Sequence, residues 1–135
     1  AGTAILGDMI VMQYDSNWSY LGTKTLKKNA SAPEGAAFDG KRFYVVYLDT
    51  PCTDMPCYQN VRLAAFDSNW NLLDDIAVTS FTSQDHTNVA RPTLALRNGR
   101  LYVAYDEDDN ETFDPNVPFE FKTQVYVKVY DVSDK

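Results

Sequence analysis

The segment VRLAAFDSNWNLLDDIAV (Val61–Val78) has a near-copy upstream in MIVMQYDSNWSYLGTKTL (Met9–Leu26). Aromatic-Asp-Ser-Asn-Trp falls at Tyr14–Trp18 and again at Phe66–Trp70, 52 residues apart. In both copies an apolar run leads into a polar turn, and a second apolar run leads out from Leu21 or Leu73. Two apolar runs about a turn read as a β-hairpin, and a fixed internal period points to a repeat architecture. Asp15, Asp67, Trp18 and Trp70 are then structural repeat positions. A residue recurring at one place in each unit is expected to pack that unit, so both indoles are read as packing residues rather than sugar platforms.

A second unit is also duplicated. Residues 33–49 read PEGAAFDGKRFYVVYLD and residues 92–106 read PTLALRNGRLYVAYD. Pro33 matches Pro92 and Gly40 matches Gly99. Asp39-Gly40 and Asn98-Gly99 predict tight type I′ hairpin turns, which need positive φ at both central residues. The strand after each turn is apolar on both faces: Phe43, Val45 and Tyr47 one way, Tyr44, Val46 and Leu48 the other. Such a strand belongs inside a stack of sheets. The strands before them hold Gly35, Ala36, Ala37 and Ala95, small residues that suit close approach of sheets.

In chain order the reading is a strand at Thr3–Leu6, a turn at Gly7-Asp8, then strands at Met9–Tyr14 and Trp18–Leu26. A polar connection follows at Lys27–Ala32. The Pro33 unit, a loop at Thr50–Asn60 and the Val61 hairpin come next. A polar stretch with the only histidine, His86, precedes the Pro92 unit. A loop at Glu107–Lys122 and a last strand at Gln124–Asp131 complete the chain. The last strand again ends aromatic-Asp. The four-stranded unit is thus complete at 33–80, partial at 3–26, and lacks its last strand at 92–131. The 135 residues form one all-β domain.

Two cysteines, Cys52 and Cys57, lie in the Pro-bounded PCTDMPC loop. A disulfide closing this short loop is expected, and with it an oxidising compartment; two unlinked thiols are the alternative, and no second Cys or His pair completes a zinc set. Sequons at Asn17, Asn29 and Asn110 fit an extracellular or cell-surface location. The chain begins at Ala1, which suggests a processed or excised chain. A net charge of −7 disfavours nucleic acid and anionic membrane. No apolar run approaches the ~18 residues of a membrane span.

A four-stranded antiparallel unit repeating every ~40–60 residues is similar to a β-propeller blade. The pattern ARPTLALRNGRLYVAYDED with QVYVKVYD resembles blades of sialidase-like, glycan-handling propellers, over about residues 33–131. The resemblance implies about two and a half blades, whose open ends need the remaining blades of a longer chain or further copies in a homo-oligomer. A β-sandwich is the competing monomeric fold. The S-x-D-x-G-x-T-W box is absent, and five scattered arginines match no catalytic triad, so no catalytic residue is carried over.

Three clusters remain. Asp106, Asp108 and Asn110 are spaced to offer oxygens to calcium, although Glu111 and Val117 depart from the EF-hand pattern; a solvated acidic loop is the plainer reading. Asp74-Asp75 reads as an edge or turn feature, and His86 as a surface histidine. The loop aromatics Tyr58, Phe113, Phe119 and Phe121 are the ligand candidates, because they sit in long connections and differ between repeats. The functional expectation is a non-catalytic extracellular scaffold for glycan or protein binding. The alternatives are a fragment of a secreted glycan-active hydrolase and a structural subunit of an extracellular assembly.

Overall fold

The structure, a computed structural model, describes residues 7–30, 33–49, 58–82, 85, 87–108 and 123–133. The described residues form nine strands in three antiparallel sheets and no helix. β1 (Gly7–Tyr14) and β2 (Tyr20–Ala30) make a two-stranded first sheet. β3 (Pro33–Phe38), β4 (Phe43–Asp49), β5 (Asn60–Phe66) and β6 (Leu72–Ala77) make a four-stranded middle sheet in simple sequential order. β7 (Asn88–Arg97), β8 (Arg100–Asp108) and β9 (Thr123–Asp131) make the third. The described strands thus fall into sheets of two, four and three, and the strand expected at Thr3–Leu6 lies outside the described residues.

The three sheets stack with the middle one covered on both faces. Tyr44, Val46, Leu48, Val61 and Leu63 pack against Val89, Leu101, Val103 and Tyr105 of the third sheet. Val45, Tyr47, Ala64 and Phe66 pack against Met9, Ala30 and Leu26 of the first. The alternating sets of β4 are therefore both buried, as its two apolar faces require. This gives three layers, where a sandwich would have two.

Small residues of β3 face the third sheet. A Cβ on Gly35 would lie 3.4 Å from Val46 Cγ1 and 3.6 Å from Leu94 Cβ of the third sheet. Pro33 opens β3, and Pro92 lies in the irregular stretch between Ala90 and Thr93, next to Arg91 at φ 49°. β3 and β7 are both edge strands. First positions, edges and bulges are where a strand tolerates a residue with no N–H.

Three local expectations are corrected. Gly7-Asp8 is part of β1 rather than a turn. β2 runs on through Lys27–Ala30, because those residues pair with Gly7 and Met9. Asn98-Gly99 does form the two-residue turn, with φ of 50° and 72°. Asp39-Gly40 does not: only Gly40 has positive φ, and a four-residue connection separates paired Phe38 and Phe43. The reason is the Asp39 carboxylate. It accepts the N–H groups of Lys41 and Arg42 at 2.8 and 2.7 Å and the Tyr44 hydroxyl at 3.0 Å, which favours the wider loop.

A polar tie joins the first and middle sheets. The Tyr47 hydroxyl donates to Asp75 Oδ2 at 2.7 Å and accepts from Lys27 Nζ at 2.9 Å. Arg62 Nε donates to Asp75 Oδ1 at 2.9 Å. Tyr47 is fully buried, so its hydroxyl needs these partners. Burial works against the charge on Lys27, but the hydrogen bond with Tyr47 and the charge of Asp75 outweigh it and raise its pKa. Asp75 lies on β6, at the edge of the middle sheet as the sequence reading has it, and is in addition an anchor between sheets. Asp74, pointing the other way, is exposed.

Asp75→Ala should cost ~1–3 kcal/mol, because it leaves a buried phenol and a guanidinium without their acceptor. Asp74→Ala should stay within ~0.5 kcal/mol of the parent. Urea unfolding of the two variants measures the difference, and equal costs would contradict the tie.

Candidate functional site

The duplicated turns are held by their aspartates. Asp15 Oδ1 accepts the N–H groups of Asn17 and Ser19 at 2.8 and 2.9 Å. Asp67 Oδ1 accepts those of Asn69 and Asn71 at the same two distances. In each turn the Trp N–H donates to the aspartate carbonyl at 3.0 Å. Asp131 makes the start of a third such clasp, accepting from Ser133 N at 3.0 Å and Ser133 Oγ at 2.6 Å. The N–H bonds of Asn71, more than any other contact, hold the Asp67 carboxyl below its ordinary 3.8. Ser133 does the same for Asp131. At Asp39 burial pushes upward, but the N–H groups of Arg42 and Lys41 win and the pKa is lowered.

The clasp forces the fourth residue into the left-handed region: Trp18 has φ 64° and Trp70 has φ 62°. This is a three-residue hairpin loop with a bulge, a position that ordinarily suits Gly. A bulky residue there costs roughly 1–2 kcal/mol of backbone energy. Trp70 recovers it by stacking. Its ring lies 3.9 Å from that of Phe43 at an interplanar angle of 16°, and Phe43 in turn stacks on Phe38 at 4.3 Å.

Trp18 has the same backbone and none of this packing. It is 84% exposed, which overturns its reading as a packing residue. The physical reason is that the described first sheet has no counterpart of β4, and so no counterpart of Phe43. Tyr14 and Tyr20, in edge contact at 5.8 Å, and Leu21 are exposed on the same hairpin. Among the described residues, exposed aromatic surface is therefore found at the repeat turn itself.

The other predicted residues are distributed as follows. Gly40 and Gly99 lie in turns of the middle and third sheets, both with positive φ. Tyr58 is half-buried just before β5. Asp106 Oδ2 accepts from Arg91 Nε at 2.6 Å, so that oxygen already faces a cation. Cys52, Cys57, His86, Asn110, Phe113, Phe119 and Phe121 lie outside the described residues, as does the side chain of Asp108.

A feature that the sequence reading missed lies between the middle and third sheets at their turn end. An open cleft of about 470 Å³ is lined by Lys41, Arg42, Arg97, Asn98, Asp39 and Ser133. With Arg100 close by in the next hairpin strand, cations gather here although the chain as a whole carries −7. Each stands beside a repeat turn, and that adjacency is the signal from which the cleft could have been read.

Compared with known proteins, the chain matches no family model, no curated protein and no solved structure.

The clasps give a pH dependence with a definite sign. A carboxylate whose folded pKa is depressed stabilises above the unfolded value and loses that contribution as pH falls through the folded one. Stability should therefore fall on acidification below the ordinary 3.8 of Asp39, Asp67 and Asp131. Asn accepts the same N–H groups and does not titrate. Asp67→Asn should show a shallower decline over that window, followed by circular dichroism melts. A decline parallel to the parent would show that Asp67 contributes nothing to it.

Proposed function

We propose that this chain is a non-catalytic, extracellular β-repeat scaffold of propeller type that works by protein contact, adding further sheets of its own kind to its open ends. The observation that carries this reading is one of register. Shifting by 64 residues brings Val61, Leu63 and Ala65 of β5 onto Val125, Val127 and Val129 of β9. The β5 row lies under the third sheet, where Val61 and Leu63 are buried. The β9 row pairs with Asp106, Ala104 and Tyr102 on the outer face and is 70%, 57% and 53% exposed. The same positions that bind a sister sheet in one unit are open in the next. A row of exposed valines on a strand whose other edge carries no strand among the described residues is a surface for association. The extracellular part of the proposal rests on the Cys52–Cys57 spacing and the sequons.

The cationic cleft supports a second reading, a glycan bearing carboxylate or sulfate groups. Arg97 presents a guanidinium group suited to planar anions and Lys41 stands beside it, while Arg42 faces Asp39. An array of acidic and neutral oligosaccharides separates the readings: retention of acidic members alone, lost in Arg97→Ala, would favour the glycan.

Sedimentation velocity tests the leading proposal. The parent chain should associate with rising micromolar concentration, and Val127→Glu should sediment as a monomer with an unchanged melting temperature. A parent that remains a compact monomer throughout would refute association through this face.

A further inference from the structure

We propose that the open edge of β1 is a strand-addition site. Its occupant is a strand of the β4 kind: extended, apolar on both faces, with an aromatic residue next to the turn that stacks on Trp18. The inference rests on the sheet-adding scaffold proposed above, and it names the edge and the chemistry of what is added.

The middle sheet shows the filled form of the same site. β5 carries β6 on one edge and β4 on the other, with Phe43 opposite Phe66, Val45 opposite Ala64 and Tyr47 opposite Arg62. β1 is the counterpart of β5, offset by 52 residues, and β2 is the counterpart of β6. Among the described residues the other edge of β1 carries no strand. The register transposes without gaps: the incoming aromatic would lie opposite Tyr14, and the next two outward residues opposite Met12 and Ile10. Tyr14 is 46% exposed, whereas Phe66 in the filled site is 1% exposed. The shift in pairing beside the turn does not bar the addition, because β5 has the same irregularity between Ala65 and Phe66 and still accepts β4.

Trp18 completes the case. Its turn matches that of Trp70 in clasp distances and in φ, yet among the described residues only Trp70 has a ring beneath it. The two hairpins are thus one backbone seen with and without the neighbouring strand. β1 also lacks sequence devices that guard an edge. GDMIVMQY has no Lys and no Pro, and its one charge is at the end remote from Trp18. Backbone hydrogen bonds would supply affinity, and the Trp18 stack would supply register and selectivity.

The probe is a synthetic peptide of β4's own sequence, KRFYVVYLD (Lys41–Asp49). It is added to the chain carrying Trp70→Phe, in which Trp18 is the one remaining indole. Trp18 emission should move to shorter wavelength and saturate. The Phe43→Ser form of the peptide should bind about ten-fold more weakly or worse. Amide hydrogen exchange on the unsubstituted chain gives a second readout that does not depend on how Trp70→Phe folds: Gly7–Tyr14 should gain protection with the parent peptide only. Unmoved emission together with unchanged β1 exchange at ~100 μM peptide would overturn the proposal. So would equal protection by both peptides, which would mean that the indole selects nothing. Val127→Glu does not touch β1, so association through the β9 face and strand addition at β1 can fail separately.

Discussion

β4 has no polar face, and the rest of the structure follows from that. A strand whose successive side chains from Phe43 to Leu48 are hydrophobic must be covered on both sides, so its sheet needs a neighbour above and another below. Tyr44, Val46 and Leu48 face the third sheet, while Val45 and Tyr47 face the first. Both contacts are shaped by the same need. Gly35 of β3 lies within contact range of Leu94 in β7, and the buried Tyr47 hydroxyl is satisfied by Asp75 and Lys27 from two different sheets.

Stacking of this kind does not terminate itself. Covering the middle sheet creates two new outer faces, on β1 with β2 and on β8 with β9, and both carry apolar residues at the counterparts of buried positions. The proposed function takes these faces as the working surfaces of the molecule. A closed radial array is one arrangement in which every sheet has two neighbours. The local turn chemistry is compatible with repetition, because aspartates at equivalent positions hold the 15–18 and 67–70 turns in one geometry.

Most of the architecture was legible in the sequence because it depends on period. The offset of 52 residues between the DSNW turns and the matched Pro-to-Gly spacings of the second unit gave the sequential antiparallel order of the described strands. Alternation within FYVVYLD gave the double burial. Contacts between sheets were not legible. Asp75 looks like a surface carboxylate beside Asp74 until Lys27 and Tyr47 are brought to it from 48 and 28 residues away. Trp18 was misread because equal sequence was taken to mean equal surroundings. The turn is the same, but the stacking partner belongs to a strand that the described first sheet does not have. Asp39 was misread because a side chain, not the Asp-Gly dipeptide alone, set the loop.

Hydroxyl-radical footprinting with residue-level mass spectrometry tests the double burial most directly. Tyr44 and Tyr47 point to opposite faces of β4. A stack of three sheets predicts that both are protected, while Trp18 is modified rapidly and Trp70 more slowly. Strong modification of either Tyr44 or Tyr47 in the folded chain would mean that one face of the middle sheet is open, and would contradict the three-sheet stack.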